Sequence, residues 1–90
     1  MFRMWGKIFK KNRLIKDTVI EISDYSMSRT KKVFSSVDQI CYEFDLQSPI
    51  WLDSTKKDFI LYDKARFYQD SFIESIDFDY LEIQVIEEEY

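Results

Sequence analysis

Opposite charges are concentrated at the two ends of this chain. Residues 1–16 carry six basic side chains and no acidic one, whereas residues 74–90 carry seven acidic side chains and no basic one. The chain up to Val37 sums to +6, and the remainder sums to −10. Such ends either lie against each other or present different surfaces to partners. We predict that the basic N-terminal strand lies beside the acidic C-terminal strand, because each opposite-charge cross-strand pair contributes about 0.2–1 kcal/mol.

Size and composition predict a single domain over residues 1–90. Aromatic side chains make up 18% of the sequence, and each removes about 150–250 Å² from water when buried. The single cysteine, Cys41, excludes an internal disulfide. No apolar run approaches the ~20 residues of a membrane span, and the basic N-terminus lacks the apolar segment of a signal peptide. We therefore expect no membrane association and a cytoplasmic location.

The first half of the chain predicts a hairpin followed by a helix. Strands are predicted at residues 4–10 and 14–22, with Lys11-Asn12-Arg13 as the turn, since asparagine tolerates the left-handed conformation that tight hairpins need. In the first strand, Trp5, Lys7 and Phe9 are expected on one face. A helix is predicted over residues 29–45 from an apolar stripe of helical period. The stripe consists of Val33, Val37, Ile40, Cys41 and Phe44.

The second half gives weaker patterns. A short strand is predicted at residues 50–52, a short helix at 55–64 and a long strand at 73–87, while residues 65–71 fit a helix, a strand or a loop. The order of elements indicates an α+β fold with a small antiparallel or mixed sheet of about four strands. The helix at 29–45 is expected to cover one face of that sheet.

The sequence contains no histidine and only one glycine. The missing histidine removes the usual general base near neutral pH and the commonest metal ligand. One glycine cannot form a phosphate-binding glycine loop. We therefore predict that the protein is not an enzyme, has no catalytic residues and carries no cofactor or metal. Asp77 and Asp79 leave a divalent-cation site open as an alternative to a solvated acidic face.

The aromatic content suggests a surface for protein contacts. Trp51, Phe67, Tyr68 and Phe72 are read either as core residues or as members of an exposed patch, and exposed aromatic patches tend to mark interfaces. The favoured function is a small non-enzymatic interaction module that self-associates as a homodimer or binds a protein partner. Unpaired sheet edges offer a second route to pairing between chains.

The alternative function is nucleic-acid binding by the basic N-terminal hairpin. Lys7, Lys10, Lys11 and Arg13 would contact phosphates, with neighbouring aromatic rings available for stacking. The acidic net charge of −4 works against this alternative. The alternative reading of the same residues is a charged hairpin that neutralises the acidic C-terminal strand.

Three runs of the sequence carry a resemblance: Ile-Trp-Leu-Asp at 50–53, the stretch at 40–46 and the stretch at 72–88. Together they resemble a set of small uncharacterised proteins of anaerobic Gram-positive bacteria, over about Met4 to Glu89. The resemblance implies a bacterial, cytoplasmic protein. It implies no activity, cofactor or partner, so the biological process and any ligand stay open.

Overall fold

Residues 1–88 fold into four strands and two helices, which confirms the predicted α+β class. In the computed structural model, which describes residues 1–88, a 3₁₀ turn also lies between the last two strands. Glu89, the last member of the C-terminal acidic run, lies outside the described residues. The elements in chain order are β1 (Phe2–Lys10), β2 (Arg13–Ile22), α1 (Arg29–Glu43), α2 (Asp53–Tyr62), β3 (Lys64–Phe67), the 3₁₀ turn (Gln69–Ser71) and β4 (Tyr80–Glu87).

The four strands form one antiparallel sheet in the order β2-β1-β4-β3. The basic strand β1 lies between β2 and the acidic strand β4, with Lys7 opposite Glu82. The predicted pairing of the two oppositely charged ends is therefore confirmed. Strands β2 and β3 are the two edges of the sheet.

The hairpin between β1 and β2 turns on two residues. Lys11 and Asn12 both have positive φ, at 53° and 63°, while Lys10 pairs with Arg13. This is the left-handed geometry that two-residue hairpin turns require. The sequence had suggested that Arg13 is part of the turn, but it is the first residue of β2. The carboxylate of Asp79 accepts a hydrogen bond of 2.8 Å from the backbone N–H of Lys11.

The helix predicted at 29–45 is confirmed as α1. The side chain of Ser28 caps its first turn by accepting a hydrogen bond of 3.2 Å from the backbone N–H of Lys31. The helix ends at Glu43, two residues early, because the chain leaves the helix at Phe44 and Asp45 takes a positive φ of 58°.

Two predictions for the second half were wrong, and a third was confirmed with shifted ends. Residues 50–52 form no strand, and Ile50 instead donates its backbone N–H to the carbonyl of Ser71 at 2.7 Å. The predicted short helix is confirmed as α2, two residues earlier than expected: it begins at Asp53 and ends at Tyr62, where Asp63 turns left-handed. The strand predicted at 73–87 begins only at Tyr80.

Residues 73–79 form a loop because the side chain of Gln69 holds the chain in a turn. Its amide nitrogen donates to the carbonyl of Glu74 at 2.8 Å, and its amide oxygen accepts from the N–H of Ile76 at 2.9 Å. The unassigned stretch at 65–71 divides into β3 and the 3₁₀ turn.

Both helices contribute to one core on the same face of the sheet. Strand β1 lies under α1 at Gly6, where a side chain would meet Ile40. The buried apolar residues of this core are Phe2, Met4, Ile8, Ile20, Val33, Val37, Ile40, Cys41, Phe59, Ala65, Phe67, Phe72, Leu81 and Ile83. The alternate residues of the strands point to the opposite side of the sheet, which we call the helix-free face.

Candidate functional site

The helix-free face carries aromatic and charged side chains in place of a second core. Residues directly opposite each other in antiparallel strands share a face, so the pairing registers define its members. They are Arg3, Trp5, Lys7 and Phe9 of β1, Leu14, Asp17, Val19 and Glu21 of β2, Lys64 and Arg66 of β3, and Tyr80, Glu82, Gln84 and Glu87 of β4.

A buried ion-pair cluster occupies the centre of this face. The ammonium of Lys7 lies 2.8 Å from one oxygen of Glu82, and the Nε of Arg66 lies 3.0 Å from the other. Lys7 also donates to the side-chain oxygen of Gln84 at 3.1 Å. The side chains of Lys7 and Glu82 are only 8% and 6% exposed. They are withdrawn from water even though both helices pack on the other side of the sheet.

The environment of Glu82 keeps it ionised. Burial by itself raises the pKa of this carboxyl, but the hydrogen bonds and charges of Lys7 and Arg66 outweigh it and hold the pKa below its ordinary value. The cluster is therefore a set of charges already matched to one another, and its acid does not act as a proton donor near neutral pH.

Aromatic rings surround the ion-pair cluster. The ammonium of Lys7 lies 3.9 Å from the centre of the Trp5 ring, whose Nε1 donates to Asp17 at 3.0 Å. On the other side, Phe9 stacks on Tyr80 with ring centres 5.2 Å apart. Tyr68 lies 5.5 Å beyond Tyr80. These rings give the face an apolar surface with fixed polar groups between them.

The helix-free face has no net charge among the described residues. Four basic and four acidic side chains lie on it or pair with it. They are Arg3, Lys7, Lys64 and Arg66 against Asp17, Glu21, Glu82 and Glu87. A neutral face that combines aromatic rings with a paired polar cluster has the composition of a protein interface and differs from the basic surface that binds nucleic acid.

The four residues of the predicted aromatic surface do not lie together. Phe67 and Phe72 are 0% and 6% exposed and belong to the core, so their place on an accessible surface was wrong. Trp51 is partly buried and packs edge-on against Phe59 and Phe67, on the helical side of the sheet. Tyr68 is about half exposed and extends the aromatic row of the helix-free face.

The four predicted phosphate contacts also separate. Lys7 is buried in the ion-pair cluster, so its assignment as a free phosphate contact was wrong. Lys10, Lys11 and Arg13 are exposed at the tip of the hairpin. Three cations therefore remain available where four were expected.

The acidic residues proposed for a cation site lie in the 73–79 loop and not on a strand. Asp79 is engaged with the N–H of Lys11. Among residues 1–88, no group of three or more His, Cys, Asp or Glu side chains is arranged to hold a metal ion. Cys41 is buried, and desolvation, followed by the nearby charges of Asp38 and Glu74, raises the pKa of its thiol to about 12.

Sequence reasoning missed the ion-pair cluster as a site. The alternation in β1 did place Trp5, Lys7 and Phe9 on one face, and the same two-residue period in β4 puts Tyr80, Glu82 and Gln84 on one face. The missing information was the register that brings Lys7 opposite Glu82. The charge sorting along the chain is the signal that pointed to it.

No protein-family model, no curated protein and no solved structure matches this chain. The resemblance to small proteins of anaerobic Gram-positive bacteria therefore stays a prediction. Within residues 1–88, neither helix is long and apolar enough to cross a membrane.

Proposed function

We propose that this protein is a non-enzymatic interaction module that forms a homodimer through the helix-free face of its sheet. One observation carries the proposal: this sheet face is rich in aromatic rings, has balanced charge and lies opposite both helices. Cytoplasmic action belongs to the same proposal, because the single cysteine is a free, buried thiol, which suits a reducing compartment.

Charge complementarity favours a second copy as the occupant. Two copies related by a two-fold axis present the same surface to each other, so a strongly charged face would repel its own copy. The helix-free face has equal numbers of basic and acidic groups and avoids this penalty. Lys7 and Glu82 are already paired and withdrawn from water, so a partner that covers them adds little desolvation cost.

The substitution Val19→Lys is expected to weaken the dimer at least tenfold in its dissociation constant. Val19 pairs with Trp5 across the sheet and is 41% exposed, so the monomer tolerates a lysine there. An added charge at the interface is unfavourable because a dimer would have to bury it. Analytical ultracentrifugation from micromolar to millimolar concentration measures the change.

The matched control is Tyr42→Lys. Tyr42 is 86% exposed on α1, on the helical side of the molecule. It gains the same charge as the test variant, so its dimerisation should equal that of the wild type. A wild-type protein that stays monomeric at millimolar concentration would refute the homodimer. Equal weakening of the dimer by both variants would refute the helix-free face as its interface.

Nucleic-acid binding is the second candidate function, and one observation favours it. The aromatic row of Phe9, Tyr80 and Tyr68 lies next to the hairpin tip, where Lys10 follows Phe9 in the chain. Rings that stack on bases beside cations that contact phosphates are typical of single-strand binding surfaces.

This candidate predicts salt-sensitive binding of single-stranded DNA or RNA. Replacing Lys10, Lys11 and Arg13 together by alanine should weaken the binding strongly and reduce its salt dependence. The control replaces Lys31, Lys32 and Lys57 by alanine, which changes the net charge equally on the helices. Fluorescence anisotropy over a series of salt concentrations, starting at low salt, measures the binding of both triple variants. An absence of binding to any oligonucleotide, or equal losses in the two triple variants, excludes the hairpin as a nucleic-acid site.

A further inference from the structure

A polar cleft of about 290 Å³ lies between the first turns of α2, strand β3 and the 3₁₀ turn. It shares Lys64, Arg66, Glu82 and Tyr68 with the helix-free face and is otherwise lined by residues outside the surface proposed for dimerisation. Its walls carry hydroxyl groups and charges of both signs. The lining residues that decide its chemistry are Ser54, Thr55, Asp58, Lys64, Asp70 and Ser71.

Ser71 supplies a buried hydroxyl with no hydrogen-bond partner among the described residues. The residue is 1% exposed and lines the cleft. Its backbone groups are used: the N–H donates to Tyr68 at 2.9 Å, and the carbonyl accepts from Ile50 at 2.7 Å. Buried polar groups are almost always paired, because leaving one unpaired costs about 1–3 kcal/mol. Because Ser71 also lines the cleft, its hydroxyl is the first candidate partner for a ligand bound there.

The N-terminus of α2 forms the same end of the cleft. Its N-cap residue, Leu52, offers no side-chain acceptor, and no side chain caps the helix. The backbone N–H groups of Asp53, Ser54 and Thr55 have no partner within the helix, since a helix leaves its first N–H groups free. Together with the helix dipole, free N–H groups favour a carboxylate or another anion.

The rest of the cleft does not suit a simple anion. Asp58 and Asp70 contribute two negative charges to the lining, and these would repel an anion. Lys64, which is exposed and forms no ion pair among residues 1–88, offsets only one of them. Asp58 lies one helical turn after Ser54 on α2. The cleft therefore has an acidic residue next to the end that favours anions. A ligand that carries an ammonium beside its carboxylate satisfies both parts of this lining.

We propose that the cleft binds a small zwitterion of the α-amino acid class. The carboxylate of the ligand accepts hydrogen bonds from the first turn of α2 and from the Ser71 hydroxyl. Its ammonium faces Asp58 and Asp70. A cleft of about 290 Å³ has room for a single amino acid. This inference does not depend on the proposed dimer.

The test is a titration of ¹⁵N-labelled protein followed by NMR, with glycine, serine, glutamate, lysine and phenylalanine as separate probes. At least one should shift the amide signals of residues 53–55, 64–66 and 70–71 at millimolar concentration. Acetate and methylammonium, which carry only one charge each, should bind at least tenfold more weakly, because each leaves part of the lining unmatched.

Two serine variants separate a binding role from a structural one. Ser71→Ala removes the hydroxyl and is expected to weaken binding about tenfold. Ser36→Ala is the matched control, because Ser36 is another buried serine without a hydrogen-bond partner, on α1 and outside the cleft. Neither substitution removes a hydrogen bond of the fold. Thermal unfolding verifies that each variant remains folded.

Three results would overturn the inference. No probe shifts the cleft amides at millimolar concentration, acetate binds as tightly as the best amino acid, or Ser36→Ala weakens binding as much as Ser71→Ala. The oligomeric state, measured in the same samples, tells failure of this site apart from failure of the proposed dimer.

Discussion

Replacing Glu82 by leucine is expected to lower the free energy of unfolding by about 3–5 kcal/mol. The change leaves the ammonium of Lys7 buried without its carboxylate and removes the partner of Arg66. An unpaired buried charge costs far more than the ion pair contributes, since the lost attraction no longer offsets desolvation. Urea denaturation followed by tryptophan fluorescence measures the effect, and Trp5 beside Lys7 reports on this region.

Two controls show whether burial is the cause. Glu21→Leu removes an acid that pairs with Arg3 at 3.7 Å, where both side chains are more than 40% exposed. Exposed pairs are worth only about 0–1 kcal/mol, so this variant should stay close to the wild type. The double variant Lys7→Met with Glu82→Leu removes both buried charges and should recover most of the loss. The explanation is contradicted if Glu82→Leu lowers the free energy of unfolding by less than about 1 kcal/mol, or if the double variant is no more stable than Glu82→Leu.

Acid unfolding gives a second readout of the same carboxyl. The folded pKa of Glu82 lies below its ordinary value of 4.5, because Lys7 and Arg66 outweigh the effect of burial. A lowered folded pKa adds stability above the unfolded pKa, and this stability is lost as the pH falls through the folded value. The free energy of unfolding should therefore fall on acidification below about pH 4.5, and less steeply in Glu82→Leu than in the wild type.

The sequence predicted those parts of the fold that depend on local patterns. The hairpin rests on Asn12 and its flanking strands, and α1 rests on an apolar stripe with Ser28 before it. The pairing of β1 with β4 was predictable because every charged residue of β1 is basic and every charged residue of β4 is acidic. In each case, neighbours in the chain or net charge carry the information.

The remaining elements depend on contacts between distant residues. β3 has only four residues, and its pairing with β4 defines it as a strand. The loop at 73–79 contains apolar residues that read as a strand, but Gln69 binds its backbone and prevents it from joining the sheet. The alternation of apolar residues contains no information on such contacts between side chain and backbone. The strand predicted from the sequence therefore began seven residues before β4 does.

The helix-free face shows the same limit at the level of the site. Alternation predicted which residues of β1 share a face, but it did not predict which face the helices cover. Gly6 bears on that choice, because its missing side chain lets α1 approach β1 closely at Ile40. The face with Trp5, Lys7 and Phe9 is then the one without a helix.

The substitution Gly6→Ala is expected to destabilise the protein by about 1–3 kcal/mol. A Cβ at this position would lie 2.5 Å from Cγ2 of Ile40, and 2.9 and 3.0 Å from its Cδ1 and Cγ1. Ile40 is fully buried, and its branched side chain is stiff, so the helix itself must shift. In a strand without this contact, alanine would be favoured by about 0.5–1 kcal/mol. Thermal and urea unfolding measure the sign and the size of the effect.

A double-mutant cycle with Ile40→Ala tests whether close packing is the reason. Ile40→Ala alone leaves a cavity and should cost about 2–5 kcal/mol, but it also removes all three atoms that a Cβ at position 6 would meet. The double variant should therefore cost at least about 1 kcal/mol less than the sum of the single variants. Val37→Ala is the control, since Val37 is buried on the same helix but contributes none of the three atoms nearest to that Cβ. Its effect should add to that of Gly6→Ala. Additivity in both cycles would mean that the backbone at Gly6, and not the approach of α1, requires the glycine.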